Sequence, residues 1–186
     1  ASNQSVTFPG DVTVTGDLTG GFKAYQSVVN VNGSASAVFS IPTGVNRFEL
    51  SIIDVSTQNN SSPLGMELGH GSGPTYLTSS GDYNGTYHGH KHNISVYSYL
   101  EESKVRYFVN HDGGANVYSG FWQFSHIDDN QWVWQGGGHI VDSLWGTFSS
   151  GYCKMGSSNT LSSVRFKHYG TSGNFDGGKV MLRYWK

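Results

Sequence analysis

The sequence predicts an all-β protein, an antiparallel β-sandwich of jelly-roll-like form, from three observations. Apolar and polar residues alternate with period 2 in one stretch after another, the pattern of strands with one buried face. Clusters of Gly, Asn, Asp, Ser and Pro punctuate these stretches at roughly the 8–12-residue spacing of sandwich strands. The composition agrees, with 26 glycines, 14% aromatic and only 13% charged residues, which suits short strands and tight turns. At 186 residues the chain can bury one sizeable core and carry a small appendage. A formal net charge of −2 gives no electrostatic footprint for nucleic acid. No run approaches the roughly 18 apolar residues of a membrane helix, so membrane insertion is not expected either. The lone Cys153 excludes an internal disulfide and leaves packing or self-association to stabilise the fold.

In chain order, the first element is a repeat. Gly10-Asp11-Val12-Thr13 recurs as Gly16-Asp17-Leu18-Thr19. Val6, Phe8, Val12, Val14 and Leu18 form a thin apolar row that one chain cannot bury, whereas three copies around a common axis can. Residues 1–21 are therefore expected to be a short trimeric stalk, with an edge strand or a disordered leader as the alternative. Gly20-Gly21 is a natural hinge into a tip domain spanning residues 22–186.

Within that domain, Val29 and Val31 followed by Ala37, Phe39 and Ile41 predict a hairpin turned at Asn32-Gly33. Phe48, Leu50 and Ile52 alternate with Glu49, Ser51 and Ile53, continuing to Val55, and Leu64, Met66 and Leu68 make the next strand. His70 to Gly89 is rich in Gly, Ser, Thr, Tyr and His, the composition of a long surface connection. Ile94 to Tyr99 is a strand, and Glu101-Glu102-Ser103 turns it towards another at Val105, Tyr107 and Val109. The Trp-rich stretch Gly120–Gly138 predicts a hairpin around Asp128-Asp129-Asn130. Trp122, Phe124 and His126 share one face of its first strand, Phe121 and Ile127 the other; Trp132 and Trp134 share a face of the return strand. Aromatics on both faces predict a hairpin buried between two layers or against another subunit, with at most two of the five tryptophans exposed. Strands at Ile140–Leu144 and Phe148–Met155 follow, then a closing hairpin of Leu161–Tyr169 and Lys179–Trp185. About twelve strands and no helix result.

Three stretches carry a resemblance. Val6-Thr-Phe-Pro-Gly-Asp-Val-Thr-Val-Thr-Gly-Asp-Leu-Thr-Gly20 is similar to segments of bacteriophage tail-fibre and appendage proteins that precede a globular tip. Asn159 to Trp185 is similar to the closing β-hairpin of many tailed-phage fibre and structural domains, and the central Trp-rich hairpin fits the same group. The resemblance implies a virion appendage, made in the host cytoplasm, that associates with itself as a homotrimer and with other virion proteins. It also implies binding of a host cell-surface glycan or outer-membrane protein. A structural capsid-decorating (head fibre) protein and a lectin-like carbohydrate-binding module are the alternatives.

Candidate chemistry is sparse. If His88, His90 and His92 lie in a strand they share a face, where neutral imidazoles could hold a metal. The spacing is similar to the His-x-His pairs of phage fibre needles, but the Gly-rich setting favours surface histidines, and no cofactor is expected. Asp128-Asp129 and Glu101-Glu102 are turn residues whose side chains diverge, and no nucleophile elbow, phosphate loop or dinucleotide fingerprint is present. An enzyme is therefore not expected. Recognition is expected in the connection holding Tyr76, Tyr83, Tyr87, His88 and His90, where rigid rings sit among adaptable polar residues as in antibody loops. Arg165 and Lys167 share a strand face and could meet anionic lipopolysaccharide, or could simply solvate an edge strand.

Overall fold

A computed structural model describes residues 24–58, 64–91, 96–101, 104–108, 117–128, 130–141, 145–156, 159–169 and 174–186. The expected stalk over residues 1–21, including Val6, Phe8, Val12, Val14 and Leu18, lies outside the described residues, as does His92. The alternating segments form thirteen strands: β1 Ala24–Asn30, β2 Ser36–Ser40, β3 Arg47–Thr57, β4 Leu64–His70, β5 Thr75–Tyr76, β6 Tyr83–Lys91 and β7 Val96–Glu101, then β8 Val105–Phe108, β9 Val117–His126, β10 Gln131–Val141, β11 Trp145–Lys154, β12 Leu161–His168 and β13 Phe175–Trp185. They make two antiparallel sheets packed as a sandwich. The large sheet runs β1-β13-β3-β9-β10-β11-β6-β7, and the small one β2-β12-β4-β5 with β8 also paired to β4.

The strands are where alternation places them, but several turns do something other than expected. The Asn32-Gly33 turn does not close a hairpin. β1 pairs with β13 from Ala24 opposite Trp185 to Asn30 opposite Lys179, while β2 pairs with β12. Gly33 takes the left-handed φ of 77° that the turn needs, and the chain passes there from the large sheet to the small one. Glu101 to Val105 makes a second such crossing, since β7 belongs to the large sheet and β8 to the small. The expected closing hairpin is a third, with β12 in the small sheet and β13 in the large. A turn dipeptide fixes local dihedrals, not whether the chain folds back beside itself or over the core.

Two further expectations change. The stretch His70–Gly89 is not one long connection, because it contains β5 and most of the nine-residue β6. Ile140 does not begin a separate strand, because β10 continues past the glycines to Val141. In β3 the alternation slips by one residue, and both Ile52 and Val55 are buried. Asp54 has a φ of 50° and the register with β9 shifts between Ile52 and Val55, the signature of a bulge. Gly178 lies against it, where a Cβ would stand 2.5 Å from Asp54 O and Val55 Cα.

The core is shared by the inner faces of both sheets and includes Phe48, Leu50, Trp122, Phe124, Trp132 and Trp134 from the large sheet, with Phe39, Met66, Leu68, Val164 and Phe166 from the small. Strand glycines make room for its two largest fillers. A Cβ on Gly136 would strike the backbone and ring of Trp122, and Cβ atoms on Gly85 and Gly151 would strike the indole of Trp134. Each indole thus lies across a neighbouring strand instead of standing off it, which suits a close-packed layer. Trp122 Nε1 donates to Ser149 Oγ on β11 at 2.7 Å, so its polar atom is satisfied where it is buried. Phe48 and Phe124 stack at 4.5 Å between centroids, and Trp132 tilts against Phe48 at 5.5 Å.

Candidate recognition face on the large sheet

Once Trp122, Phe124, Trp132 and Trp134 face the core, the alternate residues of the same strands must face outwards. The register aligns them in rows across the sheet. Phe121 on β9 lies opposite Gly137 on β10, Gly137 opposite Phe148 on β11, and Phe148 opposite His88 on β6. The next row is Gln123, Gln135, Ser150 and Thr86; the third is Ser125, Val133, Tyr152 and Asn84. Phe121, Phe148 and Tyr152 are 52%, 49% and 45% exposed, unusual for large rings in one small area. Gly137 leaves a notch between the two phenylalanines, whose strands stand two spacings apart, ~10 Å. Beside the notch a shallow depression of about 370 Å³ is lined by Gln123, Ser125, Val133, Gln135 and Ser150 among others.

The polar groups here are amides, hydroxyls and the His88 imidazole. Gln123, with its amide oxygen turned to Arg47, accepts from both Nε and Nη2 of that guanidinium, and Arg47 also lies over Trp185 at 5.0 Å. Asn84 Nδ2 donates to the Tyr152 hydroxyl at 3.5 Å. Across β9, β10, β11 and β6 the three rows hold no Asp, Glu, Lys or Arg. Beyond the rows, charge begins with the exposed Lys154 of β11, opposite Gln131, and on β3 with Arg47 and with Glu49, which lies 3.9 Å from Arg183 on β13. Flat rings beside uncharged donors and acceptors can stack on an apolar ring face and bond hydroxyl groups.

The residues named from the sequence are dispersed by the fold. Tyr83 and Tyr87 point into the molecule and are buried, 1% and 3% exposed, so neither can serve as a surface contact. The Tyr83 hydroxyl accepts from the Leu68 N–H at 2.7 Å, its ring meets Trp134 edge-on at 5.8 Å, and burial holds its pKa well above the usual phenol value. Tyr76 belongs to the small sheet, under the Arg165 guanidinium at 3.8 Å. Of the named residues whose side chains are described, His88 joins the new face, half-buried beside Phe148. His90 pairs through its backbone with Gly146 and Val96, and its side chain lies outside the described residues. Among the described residues no three His, Cys, Asp or Glu side chains are grouped to hold a metal.

Parity could have found the face. Phe121, Gln123 and Ser125 alternate with Trp122 and Phe124, and the matching positions of β10 are Gln135 and Gly137. Phe121 and Ile127 suggest a hairpin buried between two layers or against another subunit; both are exposed on the single chain, so the two-layer form is ruled out and within the chain the hairpin has one buried face. Trp132 and Trp134 are buried together on that face, and Trp185 is half-buried.

The outer face of the small sheet has a different character. Glu67 on β4 is buried, and its carboxylate accepts from Arg165 Nε at 2.8 Å and also from Arg165 Nη2. The Tyr169 hydroxyl donates to Glu67 Oε1 at 2.7 Å. Lys104 and Lys167 place their ammonium groups 4.7 and 4.8 Å from the Tyr169 ring centre. Arg165 is therefore engaged with Glu67 and Tyr76, which leaves less of it for an outside anion. Comparison with known proteins found no match, whether to a family model, a curated protein or a solved structure.

Proposed function

We propose that the chain is the tip domain of a bacteriophage tail fibre or other virion appendage. In this reading it acts as a homotrimer, binds a host cell-surface glycan or outer-membrane protein, and has a binding rather than a catalytic role. The observation that carries the binding role is the exposure of Phe121, Phe148 and Tyr152 among rows that hold no Asp, Glu, Lys or Arg. Buried aromatics fill cores, but three half-exposed rings on the two strands that flank β10 suit capture of a partner. The virion setting is supported by the resemblance of residues 6–20 and of the Trp-rich hairpin. The likeness of Asn159 to Trp185 supports it as sequence only, because its two strands lie in different sheets. Trimeric display multiplies a weak single site through avidity.

The test is adsorption of the labelled full chain to a panel of bacterial strains. Saturable binding to some strains, lost in the Phe121→Ser/Phe148→Ser variant, supports the proposal; no saturable binding to any strain sinks it. Sedimentation of the same protein tests the trimer, and a monomer at micromolar concentration that still binds a glycan favours the lectin-like module.

A further inference from the structure

We propose that the ligand of this face is a neutral glycan laid across β9, β10 and β11, an inference that rests on the receptor-binding role proposed above. Charge gives the first reason. An anionic glycan brings carboxylate, sulfate or phosphate groups that lose water on binding and need Arg or Lys in return. The rows from Phe121 to Asn84 offer none, and the exposed Lys154 lies outside them, one row beyond Tyr152 and away from the two phenylalanines. The nearest guanidinium, Arg47, already donates twice to Gln123 and covers Trp185. A neutral sugar makes no such demand.

The second reason is the match of donors to acceptors. A sugar hydroxyl both donates and accepts, and so does a carboxamide or another hydroxyl. Gln135 and Ser150 lie in one row, with Gln123 at its end, and line the depression beside the notch. Geometry gives the third. Phe121 and Phe148 are separated by one strand, ~10 Å, with only Gly137 between them. That separation suits two sugar rings of one chain, each stacking the apolar face of its ring on a phenylalanine, with the linking sugar lowered into the notch. A side chain at residue 137 would fill that notch, and Tyr152 flanks the depression on its other side.

Binding of labelled full chain to an immobilised panel of neutral oligosaccharides (mannose, glucose, galactose and N-acetylhexosamine polymers) and acidic ones (polysialic acid, alginate, phosphorylated mannan) tests the inference. Retention on one or more neutral glycans is expected, with little change between low and high salt because no ion pair is involved. Phe121→Ser and Gln135→Ala should each weaken it tenfold or more. Ile127→Ser, exposed but outside the rows, should leave it unchanged, and all three should keep the parent's urea midpoint. Retention on acidic glycans alone, falling with salt, overturns the neutral class while leaving the receptor reading intact. Adsorption to cells with no glycan retained, still abolished by Phe121→Ser, also overturns it and points to an outer-membrane protein. Loss of the oligomer on Phe121→Ser assigns the face to contacts between copies and overturns it as well. Absence of cell adsorption is a separate result, which fails the receptor reading itself.

Discussion

The two outer faces of this sandwich carry similar residue types and use them differently. On the small sheet two described outer rings are tied to a cation or a carboxylate: Tyr76 lies under Arg165, and Tyr169 bonds Glu67 among two lysines. On the large sheet Phe121, Phe148 and Tyr152 stand at the surface over amides and hydroxyls. The first arrangement spends its side chains on internal bonds, around an acid that is costly to bury unpaired. The second leaves ring faces and polar groups available to a ligand. Aromatic content therefore does not locate a binding face; what the rings are already bonded to does.

If the contrast holds, perturbing the small sheet should cost stability and perturbing the large sheet's outer face should cost binding. The largest expected effect is alkaline. Burial, and then the Glu67 carboxylate beside it, hold the Tyr169 phenol well above its ordinary value of 10.0. Burial also pushes the Cys153 thiol from 9.0 up to about 12. Both groups ionise sooner in the unfolded chain, so their contribution is complete below pH 9 and falls as pH rises above it, for Cys153 until about pH 12. For Cys153 alone the shift corresponds to ~4 kcal/mol. Urea midpoints measured from pH 7 to pH 11 should fall steadily once pH passes 9, and a flat profile contradicts the burial of these groups. Next, Arg165→Met leaves the Glu67 carboxylate buried without its partner. It should cost ~3 kcal/mol, the low end for a broken buried pair, since Arg165 is itself 26% exposed.

On the inner side of the large sheet, Gly151→Ala places a Cβ 2.5 Å from both Gly85 Cα and the Trp134 indole. Displacing that ring should cost ~2 kcal/mol, as overpacking does, and should shift tryptophan fluorescence. Ser149→Ala removes the hydroxyl that accepts from the buried Trp122 N–H and should cost ~1 kcal/mol or slightly more. Smallest of all, Phe148→Ser on the outer side of the same strand should change stability by less than ~0.5 kcal/mol while reducing cell adsorption. A large loss of stability from Phe148→Ser collapses the distinction between the faces.

Much of this architecture is legible in the alternation. Phe48, Leu50 and Ile52, Leu64 to Leu68, and Trp122 with Phe124 each identify a strand and its inner face, because burial of one face imposes period 2. Pairing is less legible, since Asn32-Gly33 turns as expected but delivers the chain to the opposite sheet. Side-chain spacing within a strand carries no label for the partner strand. The binding face is hard to place from sequence for a related reason. Tyr83 and Tyr87 sit among glycines in a stretch that looks like a loop, yet Gly85 is there because Trp134 lies against it. Glycine in that stretch reports the width of an indole two strands away, information that no local window contains.

The pairing of β1 with β13 has a consequence for biosynthesis. β1 leaves the ribosome before any other strand of the sandwich, yet its hydrogen-bonding neighbour is β13, the last of the thirteen to be made. β3 waits for that same strand on its other edge. Long-range pairings of this kind slow folding, because the loop entropy must be overcome before any contact rewards it. Until β13 arrives, β1 and one edge of β3 are open ladders able to pair with other chains. A stop codon that removed β13 would leave both edges unpaired in every copy, so aggregation in the cell would be its most visible phenotype.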